Sequence, residues 1–321
     1  MPKLKVMTLN MNTGHGPKGD FRDRIKREVV FENLERIAHE IKTSGAQVVC
    51  LQEVDFDWGG TARVNQMEEL TRMSGLRFSH HRAHLESPLP KITRQLKIPR
   101  GDIVVNRDCG TAILSAYPLS ETDSYDFGQS YKRDPKINYL ARLLNECKGF
   151  TYGEIEIEGK KVGIFSVHLL NDIVYQILRY LGRTIRGETF ARVWQVEKLL
   201  EKIREKIDET ECPMIVAGDF NSVPRNSKLL DYTYTDSGDP DNYRRDMTMY
   251  LIKESGLIRT IPTLFGEGRA DEIEGLHTYP GHSPDRTLDY IFVSEGLEME
   301  GYRVIRKPVS DHRAVEAQII I

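Results

Sequence analysis

The sequence contains no apolar run long enough to span a lipid bilayer. Its N-terminus, MPKLKVMTLN, turns directly into a strand-like alternation and lacks the longer apolar core of a secretory signal peptide. Cysteines are few and stand singly, at Cys50, Cys109, Cys147 and Cys212. They have neither the paired spacing of a zinc site nor the density of a disulfide framework. A cytoplasmic protein in a reducing compartment is therefore expected.

The chain also lacks an excess of charge of either sign. It carries 45 Lys and Arg against 48 Asp and Glu, a net charge of -3. Charge as a whole therefore neither favours nor excludes a polyanionic substrate. No linker, repeat or low-complexity segment divides the 321 residues, so a single domain over 1–321 is predicted.

What the sequence does contain is an alternation of strand-like and helical patterns. KVMTLNM reads as a strand, and apolar residues then recur at helical spacing at Phe31, Leu34, Ala38 and Ile41, before Gly45. QVVCLQEV follows as a buried strand, and NQMEELTRM as a second helix. A hairpin turning at 158–161 and a long helix over 188–207 are predicted further on. This alternation indicates a layered α/β fold.

Polar residues follow several of these apolar strands. They are Asn10 and Asn12 in MTLNMN, Glu53 in CLQEV, His168 in FSVHLL, Asp219 and Asn221 in IVAGDFNSVP, Asp289 in TLDYIF, and Ser310, Asp311 and His312 in VSDHRAV. Each alone is ordinary as a turn former, a helix cap or a satisfied core residue. In layered α/β folds, however, side chains at strand ends converge on one edge, where ligands commonly bind.

Two arguments make this edge a predicted metal site. Residues two apart on an extended segment point to the same face, so Asp219 and Asn221 are expected to address one ligand. The carboxylates of Glu53, Asp219, Asp289 and Asp311 would be costly to desolvate together without a cation. Oxygen ligands suit Mg²⁺ or Mn²⁺ better than zinc.

These motifs resemble those of a known superfamily. TLNMN, LQEV, SVHLL, GDFNSVP, TLDYIFVS and SDHRAV, in this order, are similar to the metal-dependent endonuclease/exonuclease/phosphatase superfamily. That superfamily includes DNase I-like nucleases, apurinic endonucleases, neutral sphingomyelinases and inositol polyphosphate phosphatases. The resemblance covers nearly the whole chain. It implies an α/β four-layer sandwich, in which two mixed sheets lie face to face with helices outside and the active site lies at one edge.

The resemblance also implies roles for the strand-end residues. Glu53 would be the principal Mg²⁺ ligand, supported by Asn10, Asn12 and Asp311. Some nucleases of the superfamily carry an acidic residue in place of Asn12, so its metal role stays open.

The remaining roles belong to in-line attack of water on phosphorus. Asp219 would position or deprotonate the attacking water. Asn221 and His168 would donate hydrogen bonds to the phosphoryl oxygens, and His312, oriented by Asp289, would stabilise the developing charge. Some members of the superfamily have lost catalysis and serve as binding modules, but every catalytic motif that can be matched here is filled. An enzyme, a phosphoester hydrolase, is therefore predicted.

The substrate is predicted less sharply, because the same catalytic core serves lipids, nucleic acids and soluble phosphates. The segment 171–186 has an apolar helical stripe with Tyr and Arg flanks beside His168, which indicates either a lipid-facing rim or core packing. Basic residues outnumber acidic ones over 77–107, which suits a phosphate-rich partner or simply a solvated loop. The histidines of RFSHHRAH are interpreted as side chains of a strand that do not bind metal. A phospholipid head group is slightly favoured, with DNA or RNA as the alternative.

Overall fold

Two β-sheets and four α-helices make up the part of the chain that the computed structural model describes, residues 1–19, 25–57, 59–84, 109–127, 148–170, 189–224, 246–265 and 273–321. The strands are β1 (Lys3–Asn10), β2 (Val48–Asp55), β3 (Phe78–Ala83), β4 (Cys109–Ser115), β5 (Ser120–Asp126), β6 (Gly149–Ile157), β7 (Lys160–His168), β8 (Met214–Asp219), β9 (Asp289–Val293), β10 (Glu298–Val304) and β11 (Val315–Ile320). The helices are α1 (Arg27–Ser44), α2 (Gln66–Ser74), α3 (Thr189–Thr210) and α4 (Thr248–Ser255).

Both sheets are mixed. One has the strand order β10-β11-β1-β2-β4-β3 and the other the order β5-β6-β7-β8-β9. The pairs β1–β2 and β7–β8 are parallel, while β1–β11 and β8–β9 are antiparallel. The carboxyl ends of β1, β2, β7 and β8 carry the polar residues singled out in the sequence.

The core lies in three apolar layers, because the central strands are buried on both faces. Val6 and Cys50 of one sheet pack against Ile164 and Ala217 of the other between the sheets. Successive residues of a strand point to opposite faces, so the neighbour of Val6, Met7, lies on the outer face of its sheet. Continuous apolar runs are typical of strands that are covered on both sides.

Helices cover the two outer faces. The apolar stripe of α1, including Leu34 and Ile37, packs with α2 on the first sheet. On the second sheet, Leu199 and Ile203 of α3 pack together with Ile252 of α4. The order of layers is helix, sheet, sheet, helix, which confirms the predicted α/β sandwich.

Most elements lie where the sequence places them. The α1 helix ends at Gly45, which adopts a left-handed φ of 71° that favours glycine. The predicted hairpin is formed by β6 and β7, and the predicted helix over 188–207 is observed as Thr189–Thr210. The sequence analysis missed β5 and β10, each at the edge of its sheet. Their residues are largely exposed and therefore lack the apolar pattern of the central strands.

Several sequence predictions concern residues outside the described ranges. The segment 171–186 lies outside them, and so do the basic residues of 77–107 other than Arg77 and Arg82. Within the described ranges, His80 and His81 lie on β3, and no helix is long and apolar enough to cross a membrane. The described cysteines, Cys50, Cys109 and Cys212, are buried and unpaired.

Candidate active site

Strand pairing in the second sheet places three of the predicted site residues side by side. Asp219, at the end of β8, lies opposite His168 of β7 on one side and Asp289 of β9 on the other. The first sheet contributes Asn10 from the end of β1, whose Nδ2 atom donates to Asp219 Oδ2 at 3.0 Å. The site therefore bridges the edges of both sheets, and the predicted convergence of strand ends is observed for these residues.

Asp219 is a buried carboxylate surrounded by donors and positive charge. Its Oδ2 atom lies 3.4 Å from His168 Nε2 and 3.9 Å from His312 Nε2. Burial alone would raise the pKa of this carboxyl, but His312 chiefly, with smaller contributions from His168 and Lys148, holds the pKa well below its usual range. Asp219 is consequently ionised at neutral pH although its side chain is only 1% exposed.

His312 and Asp289 form a buried ion pair. His312 Nδ1 donates to Asp289 Oδ2 at 2.8 Å. Burial alone would lower the pKa of His312, but the charges of Asp289 and Asp219 outweigh it and raise the pKa to about 10. The ring also packs against Tyr279, with 4.8 Å between ring centroids. His312 therefore carries a fixed positive charge beside Asp219, in the orientation that the resemblance implied.

Glu53 owes its position to an irregularity in β2. The pairing of β2 with β4 shifts register between Leu51 and Val54, which marks a β-bulge, and Glu53 has a φ of 52°. A bulge turns one side chain out of the regular alternation, and positive φ at a residue other than glycine costs free energy. Such strain is common at functional sites. The Glu53 side chain is 21% exposed, so solvent ions can reach it.

Asn221 corrects the geometry predicted for the GDFN motif. The strand β8 ends at Asp219, and Asn221 has a left-handed φ of 49°, so the extended i, i+2 arrangement is wrong. Instead, the backbone N–H of Asn221 donates to Asp219 Oδ1 at 2.8 Å in a tight turn. Asparagine tolerates this conformation better than other residues with a Cβ atom. Its Nδ2 atom still reaches the site, donating to Leu169 O at 2.9 Å and lying 3.3 Å from Asp219 Oδ2.

Asn10 and Asn12 are held together by a similar turn. The backbone N–H of Asn12 donates to Asn10 Oδ1 at 3.0 Å, which orients the Asn10 amide toward Asp219. Asn12 has a φ of 45°, and its Nδ2 atom donates to Gly19 O at 3.0 Å. Asn12 therefore supports the loop after β1 and fixes the Asn10 side chain.

Asp311 is a site carboxyl whose pKa is raised. Burial raises its pKa to about 7, and Glu53 and Asp219 add to the rise, while His312 opposes it. Ser310 Oγ donates to Asp311 Oδ1 at 3.0 Å. The residue keeps some exposure to solvent. A carboxylate next to other carboxylates is one that a cation would stabilise.

Comparison with known proteins identifies the family. A sequence profile described as the Endonuclease/Exonuclease/phosphatase family matches residues 7–312. The chain belongs to this family. No curated protein is similar enough in sequence to count as a match.

Solved structures of similar fold cover the whole chain at low sequence identity. An endonuclease/exonuclease/phosphatase from Beutenbergia cavernae DSM 12333 has 16% identity and a TM-score of 0.62, over 100% of this chain and 72% of that one. The human Nocturnin catalytic domain with bound sulfate has 17% identity and a TM-score of 0.58, over 99% and 94%. A mannosyl-6-phosphatase from Bacteroides thetaiotaomicron VPI-5482 has 13% identity and a TM-score of 0.57, over 99% and 100%. At these identities the likeness concerns the fold.

Endonuclease/exonuclease/phosphatase proteins are hydrolases of phosphoester bonds, typically dependent on a divalent metal, and this chain is an enzyme of that class. The oxygens of Glu53, Asp311 and Asn10 fit such an ion, because carboxylate and amide oxygens are hard donors and Glu53 lies near enough to Asp311 to contribute to its raised pKa. Asp219, Asp289 and His312 also bring ligand atoms within 4.8 Å of one another. The His312 ring is protonated, however, and an imidazolium has no lone pair for a metal.

One residue of the candidate site was missed in the sequence. Lys148 is only 3% exposed, and its Nζ atom lies 2.5 Å from His168 Nε2 and 4.0 Å from Glu53 Oε1. It directly precedes β6, whose first residue, Gly149, pairs with His168. No motif marks it. The available signal was a lysine immediately before a strand that hairpins onto the His168 strand.

Proposed function

We propose that the protein is a Mg²⁺-dependent phosphodiesterase that cleaves its substrate by in-line attack of water on phosphorus. The observation that carries the proposal is the grouping of an ionised, buried Asp219 with the cation of His312 and with Glu53. Asp219 Oδ2 lies 3.9 Å from His312 Nε2 and 3.4 Å from His168 Nε2, and that His168 atom lies 3.9 Å from Glu53 Oε1. A base, a fixed positive charge and a set of oxygen ligands are the groups that this reaction requires.

In this proposal, Glu53, Asp311 and Asn10 hold the ion, and Asn12 fixes the Asn10 amide through its backbone N–H. Bound there, Mg²⁺ would supply a Lewis acid that neutralises charge on a phosphoryl oxygen. Because Mg²⁺ in proteins usually keeps several waters beside one or two carboxylates, substrate oxygens could replace some of them. Mn²⁺ accepts the same oxygen ligands and would substitute for it.

Asp219 acts in the proposal as the acceptor of the water proton. Its Oδ2 atom faces His168, His312 and Asn10, and the charge of His312 keeps the carboxylate ionised. Catalysis by a positioned base needs this ionised form at the working pH. Asn221 orients the carboxylate by donating its backbone N–H to Asp219 Oδ1, and its Nδ2 atom is a second donor, near Oδ2.

His312 stabilises the charge that develops on the phosphoryl oxygens. The Nδ1–H bond is directed to Asp289 Oδ2, which leaves the Nε2–H bond on the Asp219 side of the ring. A donor fixed in advance in a buried site is worth more than the same donor in water, because nothing reorganises during the reaction. Asp289 is the residue that orients it.

For the substrate we propose a phospholipid head group, as in a sphingomyelinase. The support is the apolar stripe of 171–186, which follows His168 directly in the sequence. Nucleic acid is the alternative, supported by the excess of basic residues over 77–107.

A substrate panel tests this proposal. We expect purified protein with Mg²⁺ to hydrolyse sphingomyelin in vesicles faster than a phosphoinositide, abasic duplex DNA or single-stranded RNA. The Asp219→Asn protein, purified in parallel, is the control for contaminating activities. Preference for DNA or RNA would replace the lipid assignment and keep the reaction. If the protein hydrolysed none of these substrates and no soluble phosphodiester either, the proposed function would be contradicted.

A further inference from the structure

Lys148 is a buried cation inside the site, and the proposed reaction assigns it no role. The end of its side chain lies among His168 and Glu53, and the residue is 3% exposed. Its backbone is fixed on both sides: the Lys148 carbonyl accepts from Phe127 N–H at 3.0 Å, and Gly149 begins β6. A Cβ atom at Gly149 would lie 2.2 Å from Tyr125 O and 2.6 Å from His84 Nδ1. This close packing leaves no room for a side chain at the residue that follows Lys148.

The contact between Lys148 and His168 has a defined direction. An ammonium group has three donors and no acceptor. With Nζ at 2.5 Å from His168 Nε2, that ring nitrogen accepts and the ring proton lies on Nδ1, so the 3.4 Å approach of Nε2 to Asp219 Oδ2 is not a hydrogen bond. The Nε2 atom cannot at the same time donate to a phosphoryl oxygen.

The ammonium itself has donors to spare. Among the described residues, the His168 ring is the one acceptor within hydrogen-bond distance of Nζ, and the Glu53 carboxylate lies at the longer distance of 4.0 Å. Holding a buried charge with so few partners is costly. An anion bound next to Lys148 would accept hydrogen bonds from the remaining N–H groups of its ammonium.

We propose that Lys148 binds a non-bridging oxygen of the substrate phosphoryl group, and that His168 is a positioning residue that accepts from Lys148 and aims it. The proposal rests on the proposed function for its substrate. His168 Nε2 and His312 Nε2 lie 3.4 Å and 3.9 Å from the same Asp219 oxygen. Lys148 and His312 would accordingly approach the phosphoryl group from two sides of Asp219. In phosphoryl transfer, charge spreads over the equatorial oxygens, where two fixed cations are most effective.

A phosphate-binding measurement tests Lys148 directly. We expect Lys148→Met to weaken the binding of inorganic phosphate, in Mg²⁺, by about 10- to 100-fold, the scale of one lost charge-assisted hydrogen bond. Lys148→Arg keeps the charge and should retain part of the affinity. Lys3→Met removes an exposed lysine that pairs with Glu300 and should leave the affinity unchanged. An unaltered phosphate affinity in Lys148→Met would overturn the proposal and leave Lys148 as a counterion of Glu53.

Two further measurements separate a binding role from a structural one. His168→Phe should weaken phosphate binding in the wild-type background and have little further effect in Lys148→Met, because the two residues act as a unit. If Lys148→Met does not fold, the NMR signal of the Lys148 ammonium in the wild-type protein decides, and an absence of any shift on phosphate addition overturns the proposal. Failure of the wild-type protein to hydrolyse any ester would contradict the proposed function alone, since these readouts need no turnover.

Discussion

Replacement of Asp219 by asparagine is expected to lower kcat by about 10²-fold or more, with KM little changed, the usual scale of a general-base contribution. The substitution keeps the shape of the side chain and removes its charge. In the wild-type protein, His312 holds the carboxyl ionised although it is buried, so the charge is available to accept a proton from water. The measurement is steady-state hydrolysis of a soluble phosphodiester at saturating Mg²⁺.

The controls distinguish loss of the base from loss of the turn. Asp123→Asn changes an exposed aspartate of β5 and should leave kcat unchanged. Asn221 shares a turn with Asp219 through its backbone N–H, so the circular dichroism of both Asp219→Asn and Asp123→Asn should match the wild type. The Tm of Asp219→Asn should fall, because His312 loses a buried negative partner, and the rate is therefore measured well below that Tm. If Asp219→Asn kept wild-type kcat, Asp219 would be a turn former and the proposed site would be wrong.

Replacement of Glu53 by glutamine is expected to raise the Mg²⁺ concentration needed for half-maximal activity by at least about 10-fold, since even residues that only support a metal ligand change affinity by that factor. Glu53 is presented by a bulge with strained φ and lies close enough to Asp311 to raise its pKa. Glutamine keeps one neutral amide oxygen but removes the negative charge that attracts the ion. Metal titrations of the rate, with Mn²⁺ binding followed separately, measure this effect.

Glu35→Gln provides the matched control, because Glu35 is exposed on α1. Its metal titration should overlay that of the wild type. An unchanged titration for Glu53→Gln would remove Glu53 from the metal shell. If zinc, and neither Mg²⁺ nor Mn²⁺, restored the activity of the metal-free wild-type protein, the argument from hard oxygen ligands would be wrong.

The sequence predicted the fold and most of the residues that meet at the candidate site for a common physical reason. Strands buried on both faces must be continuously apolar, so a polar residue directly after such a run, like Asp219 after IVAG, marks the strand end. The order of the strand ends along the chain then matched one superfamily. Edge strands such as β5 are largely exposed and have no continuous apolar run whose end a polar residue could mark, so they were missed.

The detailed geometry of the site could not be predicted, because it depends on contacts between distant residues. Asn10 reaches Asp219 across 209 residues of sequence, and Lys148 meets His168 only because β6 and β7 pair in one register. The bulge at Glu53 and the left-handed turn at Asn221 are set by local conformations that neither residue type demands. The basicity of His312 likewise follows from burial next to Asp289 and Asp219.

Removal and return of the metal tests the central claim most directly. We expect hydrolysis of a soluble phosphodiester by the wild-type protein to be lost in excess EDTA and to return on addition of Mg²⁺ or Mn²⁺, because the proposed reaction needs a divalent ion on the oxygens of Glu53 and Asp311 to neutralise charge on phosphate. The Asp219→Asn protein, treated identically, should not recover. Full activity of the wild-type protein in EDTA would contradict the account.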